Sequence, residues 1–256
     1  MNIRELLNYK EPYFRINREE RNLAAIFYHV LLINNNLEKF LQKLKVDFPI
    51  VSAETGIYFE YAHLRDIWFN HRGITNLKKQ KVILDLLQPV NYDGLLNLSV
   101  LDFNRYFGAV PVPSAEYIQS PGNWSISRFK QNIIDNVEFL KVCRFKWCFN
   151  AKPDIVIHTS NDHVICIEAK YESGEGQYPS KQSERDEFKK RGLKQVGQTE
   201  IQTQIMQLLG IESTFIFLVQ KTSASDTHDT LLWKEAFDGL DLHGCPRYIT
   251  ETINKL

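Results

Sequence analysis

Residues 154 to 170, "DIVIHTSNDHVICIEAK", constrain the fold more than any other stretch of the chain. Two apolar runs rich in β-branched residues are separated by "TSND", a short polar turn signal, and this predicts a β-hairpin. Strand alternation puts Val164, Cys166, Glu168 and Lys170 on one face and Ile165, Ile167 and Ala169 on the other. If the strands pair through the short turn, Asp154 at the start of the first lies beside Glu168 at the end of the second. Two carboxylates and one ammonium are then expected on one face of an otherwise apolar hairpin, where unpaired charge is costly.

Elsewhere the pattern is mainly helical. "NREERNLAAIFYHVLL" starts at a capping Asn17 and repeats apolar residues at Leu23, Ile26, Phe27, Val30 and Leu31, which predicts an N-terminal helix. "INNN" ends it and "LEKFLQKL" begins another. Residues 46–122 are mixed and aromatic-rich, with a helical stretch near 77–87 and a loop or boundary in "VPVPSAEYIQSPGN". Farther on, "SISRFKQNIIDNVEFLKVC" reads as one helix with Phe129, Ile133, Val137 and Leu140 on a face, and "RFKWCFN" reads as a strand preceding the hairpin. A polar loop from Tyr171, turning helical at its end, leads to the helix "KQVGQTEIQTQIMQLLG", stopped by Gly210. "STFIFLVQKT" reads as a strand buried on both faces, and "DTLLWKEAFDGL" as a closing helix. The expectation is an α/β fold with a mixed sheet flanked by helices, divided into a region 1–122 and a core 123–256.

The 256 residues carry 31 basic and 31 acidic side chains, so no global positive field advertises a polyanion partner, although a local basic groove is compatible with neutrality. The polar, charged start and the lack of an apolar run of about 18 residues predict a soluble, cytoplasmic chain without a membrane partner. Four cysteines are expected as free thiols. Cys143 and Cys148 have no second Cys or His pair nearby, which argues against structural zinc. No Gly-rich phosphate loop is present.

Hard carboxylate oxygens held close suit Mg²⁺ or Mn²⁺, and a neighbouring lysine can orient water or stabilise charge on a phosphoryl group. "KPDIVI" (152–157) and "VICIEAK" (164–170), followed by a helix and a further strand, resemble the PD-(D/E)XK nuclease superfamily, the restriction-endonuclease-like fold. The resemblance covers roughly 125–225 plus the first helix. It implies a divalent-metal-dependent nuclease, with DNA the expected substrate, in which Asp154, Glu168 and the carbonyl of Ala169 bind Mg²⁺ or Mn²⁺ and Lys170 is catalytic. It also implies an additional acid from a preceding helix, with Glu20 chosen over Glu19 and Glu138 because Glu20 shares a stripe with Ala24, Phe27 and Leu31. A glutamine of the helix after the lysine strand is implied too, Gln198 before Gln202. Lys181, Lys189, Lys190, Arg191 and Lys194 are candidate phosphate contacts, and the aromatics of 57–69 are core or base-stacking residues. Duplex cleavers of this fold often work as dimers, so a homodimer is implied by analogy. The rival expectation is a catalytically inactive nucleic-acid-binding or scaffolding subunit of the same fold.

Overall fold

The computed structural model describes the chain except residues 1, 4–6, 8–9, 45–49, 71–72, 111–113 and 222–228. The expected loop prolines at 111 and 113, and Thr222 at the end of the expected strand 213–222, lie outside the described residues. The remainder forms two compact units, neither continuous in sequence: Met1–Tyr61, Pro153–Gly174 and Ser213–Leu256 make the first, Ala62–Lys152 and Glu175–Glu212 the second. Residues from both sides of position 122 contribute to each.

The first unit is built around a mixed five-stranded sheet. Its strands are β1 (Gly56–Phe59), β2 (Ile155–His158), β3 (His163–Ala169), β6 (Glu212–Val219) and β7 (Asp229–Leu232), in that spatial order. β1 and β3 flank β2 antiparallel, whereas β6 and β7 are parallel. The β2–β3 register sets Ile155 opposite Ile167 and Val156 opposite Cys166. Ile155, Ile157, Ile165, Ile167 and Ala169 point into one core with Leu23, Ala24, Phe27 and Val30 of helix α1 (Glu20–Leu31). Phe27 is fully buried and meets Phe40 and Phe237 edge-on, each at 5.1 Å. Phe40 belongs to α2 (Asn36–Leu44). Burying these side chains is the main favourable term holding helix to sheet.

The second unit is largely helical. It contains α3 (Asn76–Leu87), α4 (Asn136–Cys148), α5 (Gln182–Lys190) and α6 (Gln198–Leu209), with a small antiparallel pair of β4 (Gln177–Tyr178) and β5 (Val196–Gly197) on either side of α5 in the chain. Phe107 and Trp124 stack at 4.1 Å, and Trp124 leans on Phe145 of α4. Gly210 ends α6 at φ 71°, the left-handed conformation expected of a helix-stopping glycine.

Three sequence expectations are corrected here. The helix read continuously from 125 is two helices. Ile126–Phe129 stops, and Asp135 caps α4 by accepting the Glu138 N–H at 2.9 Å. The new phase buries Phe139, Val142 and Cys143 and leaves Val137 on the surface. "RFKWCFN" is not a strand, because α4 runs through its first residues: Phe139, Cys143 and Trp147, one per helical turn, outweigh the short alternation of Phe145, Trp147 and Phe149. Finally, "DTLL" of the closing segment is β7, paired with Ile216–Val219, and a short helix, α7 (Trp233–Phe237), begins only at Trp233. The apolar segment of β6 is fully buried only at Ile216, Phe217 and Leu218.

Among the described residues no helix is long and apolar enough to cross a membrane. All four cysteines are free. Cys143, Cys148 and Cys166 are buried, and burial pushes each thiol up, Cys148 to about 12.

Candidate metal and phosphate site

The hairpin brings the three charges together. Extending the β2–β3 register by one pair sets Asp154 opposite Glu168, on the same face as Val156 and Cys166. Asp154 Oδ2 accepts the Ala169 N–H at 2.9 Å, which ties the end of β3 to the start of β2. The Asp154 carbonyl in turn accepts the Glu60 N–H at 2.8 Å, just past β1. Glu168 is 4% exposed. The Lys170 ammonium donates to Glu168 Oε1 at 3.1 Å and is itself mostly buried.

Electrostatically this is one ammonium beside a buried carboxylate, Glu168, and a half-buried one, Asp154. Burial, and then the adjacent Glu168 carboxylate, push Asp154 up to about 7, against the Ala169 N–H and the Lys170 ammonium, which pull it down. Glu168 is also within hydrogen-bonding reach of Asp154. At an effective dielectric of about 20, two like charges some 4 Å apart repel by about 4 kcal/mol. Ionising both acids is therefore disfavoured unless a proton or a cation offsets the charge.

Lys170 is held from both ends. Its N–H donates to the Leu218 carbonyl of β6, and its own carbonyl accepts from Trp233 Nε1, both at 2.8 Å. Trp233 is buried against Phe27 and Phe237. Glu20, at the start of α1, sits beside the residues that follow Lys170. Its Oε1 accepts from the N–H groups of Tyr171 (2.8 Å), Glu172 (3.3 Å) and Ser173 (3.2 Å). The Ser173 hydroxyl lies 2.8 Å from Oε1 and 3.0 Å from Oε2. Burial raises the Glu20 carboxyl, but these donors and the Lys170 ammonium outweigh it, and the net direction is down. Arg18 and Arg21, in the same stretch of chain, pair with Glu172 and Glu60.

Compared with known protein families, curated proteins and solved structures, the chain finds no match.

Glu19 is exposed at the residue preceding α1. Glu138 lies in the second unit, in the first turn of α4. Gln198 is the first residue of α6, also in the second unit, with its N–H on the Gly176 carbonyl, and Gln202 is buried in the same helix. Arg191 is a structural cation. It bonds Glu187 and the carbonyls of Lys130 and Ile133, and its guanidinium lies 3.9 Å from the Phe139 ring centroid. Lys181, Lys189, Lys190 and Lys194 are exposed. Of the aromatics, Tyr61 is buried with its hydroxyl 2.9 Å from His158 Nε2, while Tyr58 and Phe69 are exposed.

Among the described residues no group of three or more His, Cys, Asp and Glu side chains is arranged to hold a metal. The donor set at issue here is different in kind: two carboxylates and the main-chain carbonyl of Ala169. Trp233, Tyr171, Ser173 and Glu60 were not read from the sequence as part of this site. Each reaches it through its main chain or through a contact remote in sequence, which no local pattern records.

Proposed function

We propose that the protein is a divalent-metal-dependent nuclease of restriction-endonuclease-like fold that hydrolyses phosphodiester bonds, with DNA as substrate. The observation that carries this reading is half-buried Asp154 beside buried Glu168, with the Lys170 ammonium 3.1 Å from Glu168. Two acids held side by side and largely removed from water are costly in a protein that does nothing with them. The β2–β3 hairpin is followed in the chain by α6 and then β6, the helix and further strand that the motif resemblance implies.

The residues fit a hard cation. Their donors are all oxygen, and the elevated Asp154 marks a place where added positive charge is favoured. Asp154, Glu168 and the Ala169 carbonyl would hold Mg²⁺ or Mn²⁺. Such an ion, when bound, polarises phosphoryl oxygen and makes a bound water more acidic. The part played by this chain is to present two ionised carboxylates and to keep water out of their surroundings. Lys170 directs a fixed positive charge to the same point, where negative charge develops on the phosphoryl group during hydrolysis. In a partly buried setting that charge is worth more than it would be in water.

The direct test is cleavage of plasmid, linear duplex, single-stranded DNA and RNA in Mg²⁺ or Mn²⁺. Lys170→Ala is expected to lower the rate by about 10²–10³-fold while leaving the fold intact by circular dichroism. Equal rates in both proteins would remove Lys170 from the mechanism. Binding without cleavage of any of these substrates would leave a nucleic-acid-binding subunit instead.

A further inference from the structure

Glu20 raises a question that the carboxylate pair does not answer. A carboxylate offers about four lone-pair sites. Oε1 already accepts three main-chain N–H groups, and the Ser173 hydroxyl serves either oxygen. A cation bound to Oε1 would displace those N–H groups, and leaving donors unpaired costs about 1–3 kcal/mol for each that is shielded from water. The three residues it holds follow Lys170 directly. The Lys170 main chain is also held on its sheet side, by Leu218, and at its carbonyl, by Trp233. The neighbouring arginines reach the same two segments, Arg18 to Glu172 and Arg21 to Glu60. Their pairs are solvent-exposed and contribute little energy, but they orient the start of α1 toward the Tyr171–Ser173 turn and toward the segment that holds the Asp154 carbonyl.

We propose that Glu20 is a positioning residue: it latches the Tyr171–Ser173 turn and so fixes where β3 delivers the Lys170 ammonium, instead of serving as a further metal ligand. Its consequence for catalysis rests on the nuclease reading, whereas the latch itself does not.

Both parts are tested on full-length wild type, Glu20→Ala and Glu20→Gln. Hydrogen exchange without metal is expected to speed up at the amides of residues 171–173 by about ten-fold or more in Glu20→Ala. Glu20→Gln, which keeps an acceptor oxygen, should lie close to wild type. Calorimetric titration with Mn²⁺ alone should give all three proteins the same affinity within about three-fold. In cleavage assays Glu20→Ala should lose about 10–100-fold in kcat with KM and the Mn²⁺ half-saturation unchanged, and Glu20→Gln should recover most of it. Unaltered exchange in Glu20→Ala, or a Mn²⁺ affinity weakened about ten-fold in Glu20→Gln, would overturn the proposal. If wild type cleaves nothing, the nuclease reading fails, and the exchange and Mn²⁺ measurements still decide the latch.

Discussion

Asp154 carries its proton to about pH 7 in the folded chain, because burial and Glu168 both disfavour its charge. In the unfolded chain it would ionise near pH 4. Between these values the native state binds the extra proton, so its contribution to stability is complete below pH 4 and is lost as pH rises through 7. Metal-free thermal melts should therefore show Tm falling from pH 4.5 to 8, with a smaller fall in Asp154→Asn. A variant whose Tm tracks wild type across that range would show that Asp154 is not the group titrating. Saturating Mg²⁺ or Mn²⁺ should abolish the fall in wild type at pH 8, since a bound cation stabilises the ionised pair; a Tm indifferent to either ion would speak against a metal at this place. The three charges were legible in the sequence because they break an apolar pattern. The proton held by Asp154 was not, since it depends on how much water the fold removes and how closely Glu168 approaches.

At the level of elements, the hairpin was read correctly because strand periodicity is local and a short turn leaves few registers open. The misread segments failed for the opposite reason. "RFKWCFN" alternates over a few residues, and only the cap at Asp135 and the burial of Phe139, Cys143 and Trp147 show that a helix runs through it. "DTLL" became a strand because Ile216–Val219 was there to pair with it. Trp233, one residue later, is the junction between β7 and α7, and its indole N–H holds the Lys170 carbonyl. Trp233→Phe removes that hydrogen bond while retaining most of the apolar volume. It is expected to cost about 1–2 kcal/mol by denaturant unfolding, and to lower the cleavage rate beyond what a control such as Trp124→Phe, in the second unit, lowers it. Equal effects of the two changes would mean that the indole contributes packing alone.

On the scale of the molecule, two cores are assembled from interleaved stretches of one chain. In the first, Phe27 connects α1, α2 and α7 through ring contacts with Phe40, Trp233 and Phe237. Phe27→Ala should cost about 3–5 kcal/mol, measured by urea unfolding; a loss below about 1 kcal/mol would show that the cavity collapses without penalty. Sequence alone determined what local periodicity can encode: an N-terminal amphipathic helix, an apolar hairpin, and the shared face of Asp154, Glu168 and Lys170. The tertiary structure alone decided that β1, from the mixed, aromatic-rich region before 122, extends the hairpin's sheet, that Glu20 meets Tyr171 and Ser173, and that Trp233 meets Lys170. The physical reason is the same in each case. An apolar or polar pattern specifies that a face will be buried and how often it recurs, but not which distant segment will cover it or which donor will find which acceptor.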